Sequence, residues 1–212
     1  MQEAAVQLDE IMTLSPVIAV VTIRDVAHAE PLTRALVAGG IRAVEITLRT
    51  PAALDSIRVA SKVEGAVVGS GTCLTGADLK ASADAGAVFA VSPGATKTLL
   101  EAGRKSAIPL LPGIATASEL MAGMEQGYTH FKLFPAEAAG GAALLKGLSG
   151  PLPQAKFCPT GGVNIENAAR YLALPNVLCV GGSWLAPDEL MDAGDWDRVQ
   201  ELARTAVAKL GR

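Results

Sequence analysis

The chain has 212 residues with a formal net charge of −3; half of its residues are hydrophobic but only 4% are aromatic. This length suits one large domain or two small ones, and the composition predicts a core of Ala, Val, Leu and Ile. Such a small acidic charge gives no reason to expect nucleic acid or an anionic membrane as a partner.

Residues 1–14 contain three acidic residues, Glu3, Asp9 and Glu10, and lack a basic region followed by an apolar one. A signal peptide is therefore not expected. No apolar stretch approaches the roughly 20 residues that span a bilayer, so we expect a cytoplasmic protein. Four apolar residues at helical spacing predict an N-terminal helix: Ala4, Leu8, Ile11 and Met12.

Eight short runs rich in apolar residues alternate with Ala-rich segments of helical periodicity. The predicted strands are Val17–Ile23, Ala43–Leu48, Ala66–Thr72, Val88–Pro93, Pro109–Ile114, His130–Pro135, Lys156–Gly162 and Val177–Gly182. Their first residues are 21 to 26 positions apart, which is typical of repeated βα units.

Helical patterns occupy most of the intervals between these strands. The clearest are Glu30–Val37, Ala52–Lys62, Ala77–Ala85, Ala117–Gln126 and Glu166–Leu172, and residues 195–210 form the last. Thr116 with Glu119 predicts a capping box, and Asn164 is a second predicted N-cap. Eight such units without a break in composition predict one α/β domain over residues 1–212, a (β/α)8 TIM barrel with an extra N-terminal helix.

Active sites of such barrels lie at the C-terminal ends of the strands. Side chains alternate across a strand, so Glu45, Thr47 and Arg49 share the inner face of the second strand. His130, Lys132 and Phe134 share the inner face of the sixth by the same argument. Because His130 begins its strand, we interpret it as a core or barrel-floor residue.

Lys132 lies within an apolar strand, whereas the other lysines lie in helical, loop-edge or strand-start positions. Enclosing an ammonium costs desolvation energy, which favours the neutral amine that attacks a ketone to form a Schiff base. Glu45 could exchange protons with it. The alternative interpretation is a purely structural ion pair between Lys132 and Glu45.

Arg49 presents a planar fork of donors that suits a carboxylate, and Thr72 ends the third strand. A substrate acid group could lie between them. Alternatively, Arg49 forms a surface ion pair and Thr72 is a turn or capping residue. Paired glycines lie at the C-terminal ends of the last two predicted strands, at Gly161-Gly162 and at Gly181-Gly182 before Ser183. This arrangement predicts a phosphate site, although tight βα turns would also explain it.

The two histidines, His28 and His130, are too few for a His-rich metal site, and we expect neither a metal nor a cofactor. Dinucleotide, P-loop and nucleophile-elbow motifs are absent from the sequence.

Blocks in the same order along nearly the whole chain resemble the 2-keto-3-deoxy-6-phosphogluconate (KDPG) aldolase family, class I aldolases of the Entner–Doudoroff route. The matching blocks are 37–40 (VAGG), 44–50 (VEITLRT), 69–72 (GSGT), 92–94 (SPG), 111–114 (LPGI), 131–137 (FKLFPAE), 157–162 (FCPTGG) and 181–184 (GGSW).

The resemblance implies that Lys132 forms an imine with the substrate ketone and that Glu45 is the general acid/base. It further implies that Arg49 and Thr72 hold the pyruvate carboxylate. The remaining implied substrate contacts are Pro93 and Phe134 in the pyruvate pocket, Thr160 at substrate hydroxyls, and Gly161, Gly162, Gly182 and Ser183 at the phosphate. A homotrimer without metal is also implied.

Close relatives that act on the galactonate-derived epimer or on 4-hydroxy-2-oxoglutarate share the lysine, the glutamate and the arginine, so the stereochemical preference stays open. Two other functions also stay open. A phosphosugar isomerase or epimerase would use Glu45 as base and Lys132 only to polarise a carbonyl, and a sugar-phosphate sensor would bind without turnover.

Overall fold

The computed structural model describes residues 2–211, with the backbone alone for residues 2–6. Its nine strands are β1 (Val17–Val21), β2 (Ala43–Thr47), β3 (Val67–Gly71), β4 (Phe89–Val91), β5 (Leu110–Leu111), β6 (Gly113–Ile114), β7 (His130–Leu133), β8 (Lys156–Pro159) and β9 (Val180–Gly182). Every paired strand is parallel, which confirms the predicted α/β class.

The continuous ladders form a six-stranded sheet in the order β5-β4-β3-β2-β1-β9 and a three-stranded sheet in the order β6-β7-β8. The predicted fifth strand is split into β5 and β6 at Pro112, which has no N–H to donate to a ladder. Isolated bridges Phe157↔Val177 and Thr160↔Gly181 link β8 to the region of β9. The described sheet is thus a curled parallel sheet in two hydrogen-bonded parts, rather than one uninterrupted eight-stranded ladder.

Helices occupy the intervals between strands. They are α1 (Gln2–Thr13), α2 (Ala29–Ala38), α3 (Ala53–Ala60), α4 (Gly76–Asp84), α5 (Lys97–Gly103), α6 (Ala117–Glu125), α7 (Gly141–Leu148), α8 (Ala168–Leu172), α9 (Asp188–Ala193) and α10 (Trp196–Leu210). Within residues 2–211 none of them is long and apolar enough to cross a membrane.

Two predicted helix starts had different outcomes. The capping box of Thr116 and Glu119 is confirmed at α6. The N-cap of α8 is Asn167 rather than the predicted Asn164, because the regular helix begins only at Ala168. The Asn164 side chain still makes capping bonds, since it accepts hydrogen bonds from the backbone N–H groups of Glu166 and Asn167, but it caps the turn that precedes α8.

Helix α1 packs where the strands begin. Its Leu8, Ile11 and Met12 belong to a cluster of buried residues that includes Ile18 and Phe89, whereas the predicted contribution of the Ala4 side chain lies outside the described residues, as do Met1 and Arg212. His130 at the start of β7 is 6% exposed, and its Nε2 lies 3.2 Å from Oδ1 of Asp9 on α1. Its position agrees with a core residue.

Candidate active site

Lys132 on β7 and Glu45 on β2 meet in the interior. The Lys132 Nζ donates to Oε1 of Glu45 at 3.0 Å and lies 3.4 Å from Oε2. Their side chains are only 6% and 4% exposed. The Nζ also lies 5.5 Å from the centroid of the Phe134 ring. A lysine, a carboxylate and an aromatic face therefore occupy one buried volume.

Strand alternation places both charged residues. On β2 every residue is buried, and Val44 and Ile46 belong to the main hydrophobic cluster that includes residues of the surrounding helices. Glu45 lies between them in the sequence and reaches the opposite face, where Lys132 is found. In the register of β7, Lys132 pairs with Gly113 on one side and Cys158 on the other.

Arg49 and Thr72 follow β2 and β3 and contact each other. The Arg49 Nε donates to the Thr72 hydroxyl at 3.1 Å. Thr72 has a φ of 59°, in the left-handed region that a β-branched residue rarely adopts, and such strain is concentrated at functional sites. Arg49 is exposed, so its terminal nitrogens are accessible to a ligand.

Pro93 and Phe134 lie beside the lysine. The backbone of Pro93 approaches Gly113 so closely that a β-carbon at position 113 would overlap it, and Gly113 is the register partner of Lys132. The Phe134 ring in turn lies within 3.2 Å of the position that a β-carbon of Gly161 would take. These contacts connect the lysine to the loop after β8.

Thr160 and the glycine pairs form the other half of the site. Thr160 is 7% exposed and bridges to Gly181, where a β-carbon would overlap the Thr160 hydroxyl. Gly161 and Gly162 have φ angles of 95° and 77°, which glycine adopts readily. The bridge brings the loop of these two glycines and the loop of Gly182 and Ser183 to the same edge, with Gly182 buried and Ser183 exposed.

Glu137 was not among the predicted site residues. Its carboxylate accepts hydrogen bonds from the Arg170 guanidinium and the Tyr171 hydroxyl, and these hydrogen bonds lower its pKa. Its backbone N–H donates to the Gly161 carbonyl at 3.1 Å, and its side chain packs against Gly162. Glu137 therefore holds the Gly161-Gly162 turn in place. Its place at the end of the matching block 131–137, which also contains Lys132, was the available signal.

A second pair of groups was also missed. The Thr22 and Thr47 hydroxyls lie 2.8 Å apart, at the ends of β1 and β2. Strand alternation predicts Thr47 on the inner face, but nothing in the sequence indicates its partner. Among the described side chains of residues 7–211, no three His, Cys, Asp or Glu residues are grouped closely enough to hold a metal ion.

Comparison with known proteins identifies the family. The family model for KDPG and KHG aldolase matches residues 8–202. The 2-dehydro-3-deoxy-phosphogluconate aldolase of Pseudoalteromonas atlantica is 54% identical over 204 residues, covering 96% of this chain and 95% of the relative. The KHG/KDPG aldolase of Escherichia coli K12 is 51% identical over 200 residues, covering 94% of each chain.

A solved structure agrees with these relatives. It is KDPG aldolase from Legionella pneumophila, with pyruvate captured at low pH as a covalent carbinolamine intermediate. The two chains superpose with a TM-score of 0.91 at 48% identity, over 93% of this chain and 97% of that chain. This chain therefore belongs to the KDPG and KHG aldolase family.

Proposed function

We propose that this chain is a class I aldolase that cleaves 2-keto-3-deoxy-6-phosphogluconate reversibly to pyruvate and D-glyceraldehyde 3-phosphate. The observation that carries the proposal is the buried contact of 3.0 Å between Lys132 Nζ and Glu45 Oε1. An amine nucleophile with a carboxylate at hydrogen-bond distance is the arrangement that imine formation and carbon–carbon cleavage require.

Substrate binding uses both ends of the site. Arg49 and Thr72 hold the carboxylate next to the keto group, because the guanidinium is charged and the hydroxyl is already oriented by the Arg49 Nε. Pro93 and Phe134 line the pyruvate pocket. Thr160 contacts substrate hydroxyls, while Gly161, Gly162, Gly182 and Ser183 bind the phosphate through backbone N–H groups and the serine hydroxyl.

The reaction begins when the Lys132 amine attacks carbon 2 and Glu45 supplies the proton for the departing water. Glu45 then takes the proton of the hydroxyl on carbon 4, the bond between carbons 3 and 4 breaks, and its electrons move into the protonated imine. Glyceraldehyde 3-phosphate leaves. Glu45 returns the proton to carbon 3 of the remaining enamine, and water hydrolyses the imine to pyruvate and free lysine.

A phosphosugar isomerase or epimerase would need the same base but no covalent adduct. Reduction with borohydride in the presence of pyruvate separates the two: we expect a lactyl-sized mass increase on Lys132 after digestion and mass spectrometry. An unmodified Lys132 would remove the Schiff-base mechanism. A coupled pyruvate assay distinguishes the enzyme from a protein that binds sugar phosphate without turnover.

The same coupled pyruvate assay measures the substrate preference. We expect the gluconate-derived phosphate to be cleaved faster than its galactonate-derived epimer, with additional activity on 4-hydroxy-2-oxoglutarate. The names KHG/KDPG aldolase for the Escherichia coli relative and 2-dehydro-3-deoxy-phosphogluconate aldolase for the Pseudoalteromonas relative support this order. Faster cleavage of the galactonate-derived epimer would reverse it.

We also propose how the whole chain is organised. The chain is one domain in which the two sheet parts close into a (β/α)8 barrel, with α1 as the extra N-terminal helix. The bridges from Phe157 and Thr160 support closure on one side and the proximity of β5 and β6 supports it on the other. Protection from hydrogen exchange of the Leu178 amide, which donates to Phe157, would test closure. The protein is a cytoplasmic homotrimer that needs no metal, as the family resemblance implies.

A further inference from the structure

Gly71, the last residue of β3, lies against the catalytic carboxylate. A β-carbon at position 71 would overlap Oε1 of Glu45 and would lie 2.7 Å from its Cγ and 2.8 Å from its Cδ. Non-bonded carbon atoms normally approach to about 3.5–4.0 Å. The outer half of the Glu45 side chain therefore occupies the space that any other residue at position 71 would fill.

The register explains this approach. Glu45 pairs with Gly69 and Thr47 pairs with Gly71, so position 71 lies two residues closer to the C-terminal end of the sheet than Glu45 does. The Glu45 side chain extends in that direction, across β3, and ends at the Lys132 amine. Without the bare backbone of Gly71, this path to Lys132 would be closed.

The backbone itself does not require glycine at this position. The φ angle of Gly71 lies outside the left-handed region, so alanine could adopt the same conformation. The contacts of Gly69 differ from those of Gly71, because a β-carbon at position 69 would overlap the ring of Phe89 in the core. Among the two glycines of β3, Gly69 therefore makes room for packing, and Gly71 makes room for a charged group.

We propose that Gly71 is a positioning residue for the aldolase reaction: the absence of its side chain lets the Glu45 carboxylate reach Lys132. This inference rests on the proposed function. A methyl group at position 71 would displace the flexible end of Glu45 rather than the rigid strand, so the fold would be retained while the contact with Lys132 would lengthen. Proton transfer would suffer more than imine formation, because the lysine itself is not displaced.

The test uses Gly71→Ala, Glu45→Ala and the double variant of the full chain with two readouts. Borohydride trapping of pyruvate measures imine formation on Lys132. Exchange of the pyruvate methyl protons for deuterium, followed by NMR, measures the proton transfer between imine and enamine. We expect Gly71→Ala to keep the adduct while exchange slows by at least about 10²-fold, the lower end of the contribution of a general base. In the Glu45→Ala background, Gly71→Ala should slow exchange no further.

Exchange at the wild-type rate in Gly71→Ala would overturn the inference, as would an additional loss in the double variant. A wild-type chain that forms no adduct and exchanges no protons would overturn the proposed function as well, so the two failures are distinguishable.

Thermal unfolding adds a measurement independent of activity. Gly71→Ala should lower Tm less in the Glu45→Ala background than in the wild-type background, because the overlapping carboxylate is gone. Gly69→Ala is the matched control and should lower Tm equally in the two backgrounds. Equal losses of Tm for Gly71→Ala in the two backgrounds would contradict the proposed contact.

Discussion

Lys132 and Glu45 are each almost completely buried, and each is the other's charged partner. A buried ion pair contributes little net stability, because the desolvation of both charges offsets their attraction. Removing one partner nevertheless leaves the other charge uncompensated. The structural interpretation and the catalytic one therefore use the same contact, and only variants that preserve the shape of the pair can separate them.

Glu45→Gln is such a variant, since the amide has the same size but cannot exchange protons with substrate. We expect the pyruvate adduct on Lys132 to form slowly and turnover to fall by about 10²–10⁴-fold, the range for loss of a general acid/base. Borohydride trapping and the coupled pyruvate assay measure the two effects. Lys132→Ala is the control that should lose both the adduct and turnover, and full activity in Glu45→Gln would contradict the assigned role.

Arg49→Lys tests the carboxylate site. Lysine keeps the positive charge but lacks the planar fork and the Nε that donates to Thr72. We expect the KM for the keto acid to rise about tenfold, equivalent to ~1.4 kcal/mol, with a smaller change in kcat. The control is Arg42→Lys. Arg42 lies just before β2, the strand that Arg49 follows, and its Nε donates to the Gly65 carbonyl. If both variants shifted KM equally, Arg49 would have no specific part in binding.

At the scale of elements, the loop after β8 depends on Gly162, whose φ is 77° and whose missing side chain leaves room for Glu137. Gly162→Ala should lower stability by about 1–2 kcal/mol from left-handed strain, and further because its β-carbon would overlap the Glu137 side chain. It should also raise the KM for the phosphorylated substrate about tenfold, equivalent to ~1.4 kcal/mol. The KM for 4-hydroxy-2-oxoglutarate should change little, because this substrate has no phosphate.

The matched control for this loop is Gly65→Ala, because Gly65 has a φ of 80° but lies between α3 and β3. In urea unfolding it should show the part of the stability loss that comes from left-handed strain, without any change in substrate preference. An equal rise of KM for both substrates in Gly162→Ala would argue against a phosphate site at this loop.

The attachment of α1 to β7 predicts a pH dependence. Burial lowers the pKa of His130 below its ordinary value of 6.5, and the hydrogen bond with Asp9 opposes this shift only partly. The unfolded chain therefore binds a proton more readily than the folded one, so this stabilisation is complete above about pH 6.5 and decreases as the pH falls toward the folded pKa.

His130→Gln should remove this part of the pH dependence, which has a maximum slope of about 1.4 kcal/mol per pH unit for one proton. Urea unfolding between pH 7.5 and pH 5.5 measures it. Asp9→Asn should have the opposite effect, because removing the carboxylate lowers the His130 pKa further and widens the range over which stability is lost. An unchanged pH dependence in His130→Gln would show that other groups are responsible.

For the whole molecule, the proposed homotrimer predicts a mass three times that of the chain in light scattering coupled to size exclusion. We expect this mass to persist on dilution into the micromolar range, since obligate assemblies bury large interfaces. A mass equal to that of one chain over the same range would contradict the trimer.

Much of the architecture was predictable because hydrophobic periodicity is a local property. All eight predicted strands overlap observed strands, and the capping box at Thr116 is confirmed. The differences arise where backbone hydrogen bonding overrides the pattern: Pro112 interrupts the fifth strand, and Asn164 closes a turn before α8. Six of the predicted strands also extend one to three residues beyond the observed strands at their C-terminal ends.

The sequence by itself determined the parallel α/β order, the inner faces of the strands and the set of polar residues at the strand ends, because each depends only on near neighbours. The sequence also predicts that Lys132 and Glu45 pair, but only the tertiary structure decided how closely their atoms approach. Lys132 and Glu45 are 87 positions apart, and no spacing in the chain states how two distant strands are placed across an interior. The contact of Arg49 with a left-handed Thr72, and the space that Gly71 leaves for Glu45, arise from strand register and side-chain direction and so exist only once the sheet has formed.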